Sequence, residues 1–438
     1  MNGDDDVSHR SAPAPRTPPG GPSGSRPRPS RRAVLGMLGA VTAAGAVTAA
    51  GAVTAAAGTA AAAPRSRSDG APAGLRPGGA LDRLIADLAA RDEFSGTVMV
   101  AHRGRPVLTR SHGMADARRS VPNRADTIFN LASASKPFTG LAIMQLVERG
   151  TVGLHEPLGT YLDGFSKEVA GNVTVHHLLT HTGGLGDFQL DPEYQANAES
   201  TWTTEAAMMD GIMAAIRRAP LTHTPGTRYA YSSSGIAVLG GIVAAVSEEK
   251  SYYEYVRRHI FKKAGMTGTG FFPKPQWRND ERFAHPYWFD DEGRAVDGLE
   301  HSPPATPTGH KGMAPYLGNP GGGAFSTAGD LVRMERRLRD GTLLSPAYLE
   351  LFLGLKHPNP PAGGSTGLEG MAYGLPASLI NGQWTAGHGG GMYVGATTSW
   401  RMYRDSDWMV VVLCNHFGKS GIDAISAKAG ELIPRQAA

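Results

Sequence analysis

The sequence predicts an α+β fold, an antiparallel sheet flanked by helices, completed by both ends of the folded region and carrying a mainly helical insertion. Two observations carry this. Strand patterns lie near both ends of that region, and helix patterns fill its middle. At the N-terminal end, Ser95–Ala101 and Val107–Arg110 read as strands, and Arg103-Gly104 between them makes a hairpin. At the C-terminal end, Gln383–Ala386, Ala396–Tyr403 and Trp408–Cys414 alternate or run apolar, with Arg404-Asp405-Ser406-Asp407 as the turn between the last two. A helix precedes the first hairpin, with Leu81, Leu84, Ile85 and Leu88 at helical spacing, and another closes the fold over about 420–433, with Ile422, Ile425 and Leu432. Between the sheet segments, helices are expected at about 136–149, 203–218, 235–247 and 251–264, and Ser326-Thr327 caps one that runs through Asp330, Leu331, Met334 and Leu338. From about 270 to 322 Pro, Gly and aromatic residues dominate. That stretch reads as a specificity loop or a domain connection.

Ahead of the fold lies a leader. Residues 1–29 hold Pro, Ser, Gly and Arg without apolar periodicity, the composition of a disordered extension. Ser30-Arg31-Arg32 then precedes a mildly apolar run of Ala, Val, Gly and Thr that reaches Ala63, and Ala61-Ala62-Ala63 offers a small-residue cleavage site. This is the pattern of a twin-arginine export signal over residues 1–63. The run is long enough for a membrane anchor, but its Gly and Thr content makes a poor span, which favours cleavage and a membrane encountered only in transit. Residues 64–79 read as a Pro/Gly/Arg linker, and 80–435 as the folded region. Within it an α/β part covers about 80–150 and 320–435, a helical part about 151–270 and an irregular part about 270–322.

Charge narrows the functional classes. The leader holds six of the 43 basic side chains and three of the 39 acidic ones, so the rest of the chain is near neutrality. A balanced surface is not the footprint of nucleic-acid or membrane binding. Cys414 is the single cysteine, so no intrachain disulfide forms. Its apolar neighbours mark it as packing.

The chemistry concentrates at Ser133-Ala134-Ser135-Lys136, at the start of the helix in which Phe138, Leu141, Ala142, Leu146 and Val147 fall near one face and Gly150 is the stop. Pro137 is tolerated in a first turn, where its N–H would lack a partner. A spacing of three sets Ser133 and Lys136 on one face of that turn. A serine hydroxyl needs a base within reach to act as a nucleophile, and a lysine in a closed cleft can lose its proton and serve as one. Ser135, adjacent to Lys136, could act only as a cap.

Two later segments can complete such a site. Tyr231 lies in Tyr229-Ala230-Tyr231-Ser232-Ser233-Ser234-Gly235 at a helix start, where a phenolate would be stabilised beside a lysine cation and could work as a general base. His388-Gly389-Gly390-Gly391 follows four residues of strand, and its glycines let backbone N–H groups approach a ligand. His177 and His181, four apart, could form half a metal site. With no acidic residue between them and no third ligand, capping of a loop is the better reading. Gly363-Gly364-Ser365-Thr366-Gly367 matches G-x-S-x-G, but the prolines before it make a loop rather than the strand–turn–helix that elbow needs.

Taken in order, Ser133-x-x-Lys136, Tyr231-Ser232-Ser233 and His388-Gly389-Gly390 resemble the three motifs of the serine β-lactamase-related superfamily, in the branch of class C β-lactamases, D,D-peptidases and β-lactamase-like esterases. Phe129-Asn130-Leu131-Ala132, Leu178-Leu179-Thr180-His181-Thr182-Gly183-Gly184-Leu185 and Pro225-Gly226-Thr227 fit the same frame. The resemblance implies a β-lactamase/transpeptidase-like α/β sandwich that works through an acyl-serine. Ser133 would be the nucleophile, and Lys136 and Tyr231 would share the proton traffic. The backbone N–H groups of Ser133 and Gly391 would form the oxyanion hole. His388 would orient substrate or assist proton transfer, and Ser233, Gly389 and Gly390 would contact substrate. No cofactor and no metal is implied, and the partner is a small ester, peptide or β-lactam. Many relatives carry Asn where Ser233 stands, and that amide helps hold a β-lactam. Ser233 therefore favours carboxylic esters, with D-Ala-D-Ala carboxypeptidase, D-peptidase or β-lactamase activity as the alternatives and a catalytically silent binding module as the non-enzymatic one.

Overall fold

The computed structural model describes residues 70–359, 368–419 and 421–435. The leader and the Gly363–Gly367 segment with Ser365 lie outside them.

An eight-stranded antiparallel sheet organises the molecule. Its spatial order is Arg105–His112, Gly96–His102, Trp408–Cys414, Ala396–Tyr403, Gln383–Met392, Pro376–Ile380, Glu369–Met371 and His357–Pro358. The sheet is therefore closed by both ends of the folded region, through pairing of Gly96 with Cys414 and of His102 with Trp408. The first hairpin turns at Arg103 and Gly104, whose φ of 52° and 69° give the two left-handed residues that match the twist of the strands.

Period-two alternation sends the two halves of each central strand into different cores. Trp408, Val410, Val412 and Cys414 pack with the helices Ala80–Ala90 and Gly421–Leu432. Leu75, in the stretch read as linker, is fully buried in this layer. Met409, Val411 and Leu413 face the opposite core, which contains the helices Lys136–Glu148, Glu205–Arg218, Ser233–Val246 and Ala328–Arg339. Thr327 caps the last of these by accepting the Asp330 N–H at 3.1 Å.

Three expectations need correction. The helix Lys136–Glu148 does not present one apolar face; it is buried on every side from Lys136 through Leu146, because other elements wrap it completely. The strand expected over Gln383–Ala386 does not stop before His388-Gly389-Gly390-Gly391 but runs on to Met392. The 270–322 segment is more structured than its composition suggests. It holds a helix, Lys274–Asn279, and a hairpin of Tyr287–Phe289 with Ala295–Asp297. Its aromatic residues form a small core in which Trp277 and Phe283 pack edge-on against Phe325.

Candidate active site

Ser133 sits on a 3-10 turn, Ala132–Ser135, that feeds directly into the helix beginning at Lys136. Ala132 enters the turn at φ 47°, a left-handed conformation that costs an alanine on the order of 1–3 kcal/mol. Its surroundings hold it there. Asn130 Oδ1 accepts the Ala132 N–H at 2.8 Å, and the Ala132 carbonyl accepts from Gly323 at 3.0 Å. The sheet grips the same turn from below: Thr398 Oγ1 donates to the Leu131 carbonyl at 2.8 Å and Trp400 Nε1 to the Ala134 carbonyl at 2.9 Å. Gly390 makes this approach possible, since a Cβ there would stand 2.2 Å from the Leu131 oxygen. Ser135 occupies the cap position without capping; its hydroxyl donates back to the Ala132 carbonyl at 2.8 Å.

Lys136 is completely buried. Its Nζ lies 2.9 Å from Ser133 Oγ and also donates to the Gly321 carbonyl. Among the described residues no carboxylate hydrogen-bonds to it. Burial lowers its pKa to about 7, against a weaker opposing pull from Asp187. A large fraction of Lys136 is thus a neutral amine near neutral pH, with a lone pair beside the serine hydroxyl.

Tyr231 stands just before the helix Ser233–Val246, its ring centroid 4.8 Å from Lys136 Nζ. The ring is half exposed. Its hydroxyl end is turned inward, and burial raises its pKa to about 12; Asp187 adds to the rise, and hydrogen bonds with Ser133 and Ser233 oppose it. Sequence suggested a phenolate stabilised by the lysine cation; burial of the hydroxyl instead favours the protonated phenol, and burial of Lys136 weakens the charge that would oppose this.

His388, 6% exposed, has its ring 6.4 Å from that of Tyr231. Its Nδ1 donates to the Gly389 carbonyl, which fixes the tautomer and leaves Nε2 as an acceptor without a partner. Burial lowers its pKa to about 3, and the charge on Lys136 adds to this. Ser133, Ser233 and Gly391 line one cavity. Gly389 and Gly390 do not; the place of a Gly390 side chain is taken by the nucleophile turn.

Of the pair His177 and His181 expected to cap a loop, His177 caps, closing a capping box with Thr174, and His181 does something else. His181 lies past that helix at φ 57°, 1% exposed, with its ring 4.8 Å from that of Tyr231. It braces the tyrosine from both sides in sequence: its carbonyl accepts the Ala230 N–H at 2.8 Å and its Nδ1 accepts the Ser232 N–H at 3.2 Å. That assigns the proton to Nε2, which is buried without a partner. Burial, then Lys136, then His388 lower its pKa to about 3, so it is neutral. Gly321 also escaped the sequence reading. The run Asn319-Pro320-Gly321-Gly322-Gly323 was its only signal, a break at the end of an irregular segment.

The arrangement fits a serine hydrolase, with a serine hydroxyl, a buried lysine amine against it and a phenol alongside. The family model described as Beta-lactamase matches residues 81–432, and the chain belongs to that family. It is similar to esterase EstB of Burkholderia gladioli, at 29% identity over 77% of this chain and 91% of that protein. Among solved structures it resembles a penicillin-binding protein from Bacillus halodurans, with 27% identity, a TM-score of 0.66 and coverage of 79% of this chain and 98% of that one. The D-amino acid amidase of Ochrobactrum anthropi SV3 shares the fold at 21% identity and a TM-score of 0.63, over 81% of this chain and 97% of that one.

Proposed function

We propose that this protein hydrolyses carboxylic esters through an acyl-Ser133 intermediate. The observation that carries the reading is the fully buried Lys136 amine, held near neutrality 2.9 Å from Ser133 Oγ. Neutral Lys136 takes the hydroxyl proton as Ser133 attacks the ester carbonyl. The oxyanion develops against the backbone N–H groups of Ser133 and Gly391. Tyr231 gives its proton to the departing alkoxide and regains one from the Lys136 ammonium. A phenol with a pKa near 12 is acidic enough for an alcohol leaving group and stays loaded at neutral pH. Water then enters by the reverse route and releases the acid. His388 and His181, both neutral, keep further charge away from Lys136.

Two observations favour esters over lactams. Ser233 offers a short hydroxyl where many relatives present a side-chain amide, and the likeness to EstB runs over most of both chains. We further propose export through the Arg31-Arg32 signal, which places the enzyme outside the cytoplasm. The likeness to penicillin-binding proteins supports D-Ala-D-Ala peptide cleavage as the second reading. Purified protein given p-nitrophenyl acetate, nitrocefin and a D-Ala-D-Ala peptide should turn over the ester fastest; faster nitrocefin hydrolysis would replace esterase with β-lactamase. An R31K/R32K precursor should stay unprocessed in the cytoplasm, and its normal secretion would reject the twin-arginine route.

A further inference from the structure

We infer that the partly aromatic cavity beside Ser133 receives the acyl part of the substrate, so that the enzyme selects esters of uncharged aromatic or branched acids with small or solvent-facing alcohols. This rests on the acyl-serine reading above and adds to it which half of the ester is recognised.

The cavity holds about 150 Å³, room for one benzene-sized group. Ser133 and Gly391 are among its lining residues, and its walls include Phe188, Phe272, Trp277 and Phe325. Lys136, Tyr231 and His388 are not among its lining residues. That division decides which part of a substrate goes where. When Ser133 Oγ bonds to the carbonyl carbon and the oxyanion sits against the two backbone N–H groups, the two remaining substituents diverge at the tetrahedral angle. The leaving alkoxide must lie within reach of the proton on Tyr231. The substituent that stays on the serine is then directed away from Tyr231, toward the cavity that Ser133 and Gly391 share. The leaving-group side opens to water past Tyr231, which is 49% exposed, and so places little restriction on the alcohol.

The walls suit a rigid apolar acyl group. Phe272, Phe283 and Phe325 pack edge-on, which fixes the aromatic surface before a ligand arrives. The opposite wall is tied in place as well. His310 bonds Asp187 at 2.9 Å, and Gln195 Nε2 donates to the Gly309 carbonyl at 2.9 Å, which fastens the 306–311 segment to the helical part. No Asp or Glu lines the cavity, while Lys311 does. An α-ammonium would meet Lys311, and the nearby Asp187 carboxylate is already engaged by His310, so amino-acyl esters are disfavoured.

The isomers methyl phenylacetate and benzyl acetate test this directly. They have the same composition and alcohols of similar acidity, and differ in which side of the ester carries the ring. Purified enzyme, followed by acid release at constant pH, should show kcat/KM about tenfold or more higher for methyl phenylacetate. Methyl 3-phenylpropanoate should likewise exceed D-phenylalanine methyl ester, from which it differs by the ammonium group. Met313→Trp, which fills the cavity, should lower the ratio of methyl phenylacetate to methyl acetate turnover about tenfold. Equal or faster hydrolysis of benzyl acetate by an enzyme whose Ser133 is labelled by a fluorophosphonate overturns the cavity assignment alone. Absence of that labelling overturns the acyl-serine reading and this inference with it.

Discussion

Two buried charged side chains in this molecule meet opposite fates. Asp116 is fully buried, and burial by itself would raise its pKa. Hydrogen bonds from the side chain and backbone of Arg119, with His285 beside it, outweigh that and hold the carboxylate below its usual range. Lys136 is equally buried, but its partners are a hydroxyl and a carbonyl, and it sheds its proton near pH 7. A buried ion with counter-charges keeps its charge and organises structure. A buried lysine offered only neutral dipoles is pushed toward its neutral form.

The comparison also fixes the signs of their pH dependence. Asp116 has a folded pKa below its unfolded one, so its stabilisation is present above about pH 3.8 and is lost as pH falls through the folded value. Lys136 has a folded pKa of about 7 against 10.5 unfolded. The unfolded chain binds more protons between those values, so this group makes the fold less stable as pH drops from 10.5 to 7.

The largest expected effects are at the serine and the lysine. Ser133→Ala should abolish fluorophosphonate labelling and lower kcat by about 10³-fold or more. Lys136→Met should lower kcat/KM by about 10²–10⁴-fold yet raise the thermal midpoint, because an unpaired buried amine is replaced by an apolar chain. A lower midpoint would place Lys136 with the structural charges. In the unmodified enzyme kcat/KM should rise with pH through about 7 and stay high to the limit of ester stability, since Tyr231 holds its proton to about 12. A profile falling through pH 7 would require charged Lys136 instead.

Asp116→Ala should do the reverse of Lys136→Met. Breaking the buried pair should cost about 3 kcal/mol in chemical denaturation, with kcat per folded molecule within a few-fold of the original. His181→Ala should lower kcat by about tenfold through looser positioning of Tyr231, while Ser133 still labels. Loss of labelling would give His181 a direct part in activating the serine. The smallest effect should be that of Ser233→Asn, a gain of roughly three- to tenfold in nitrocefin turnover against p-nitrophenyl acetate, the scale of one added hydrogen bond. An unchanged ratio would remove Ser233 from the explanation of substrate class.

Much of this architecture was legible locally. The apolar run Trp408–Cys414, the Arg103-Gly104 turn, the Thr327 cap and the Ser133–Lys136 spacing are short-range patterns. Each follows from the backbone geometry of a few consecutive residues, and each appears in the fold. The aromatic content of 270–322 was equally visible, but composition does not say that Trp277 and Phe283 would converge on Phe325, far along the chain.

What the sequence by itself determined is the α+β arrangement and the residue types of the site, in their order. What only the tertiary structure decided is their protonation and orientation. The Gly321 carbonyl reaches Lys136 across 185 positions of chain. Gly390 reads as a flexible position near a ligand, yet it is the point where the sheet meets the nucleophile turn. His181 reads as a cap and becomes the brace of Tyr231. The physical reason is common to all three. Periodicity and turn propensity act over a few residues, whereas desolvation and close approach depend on which distant segments exclude water from a group, and that is settled only when the chain has packed.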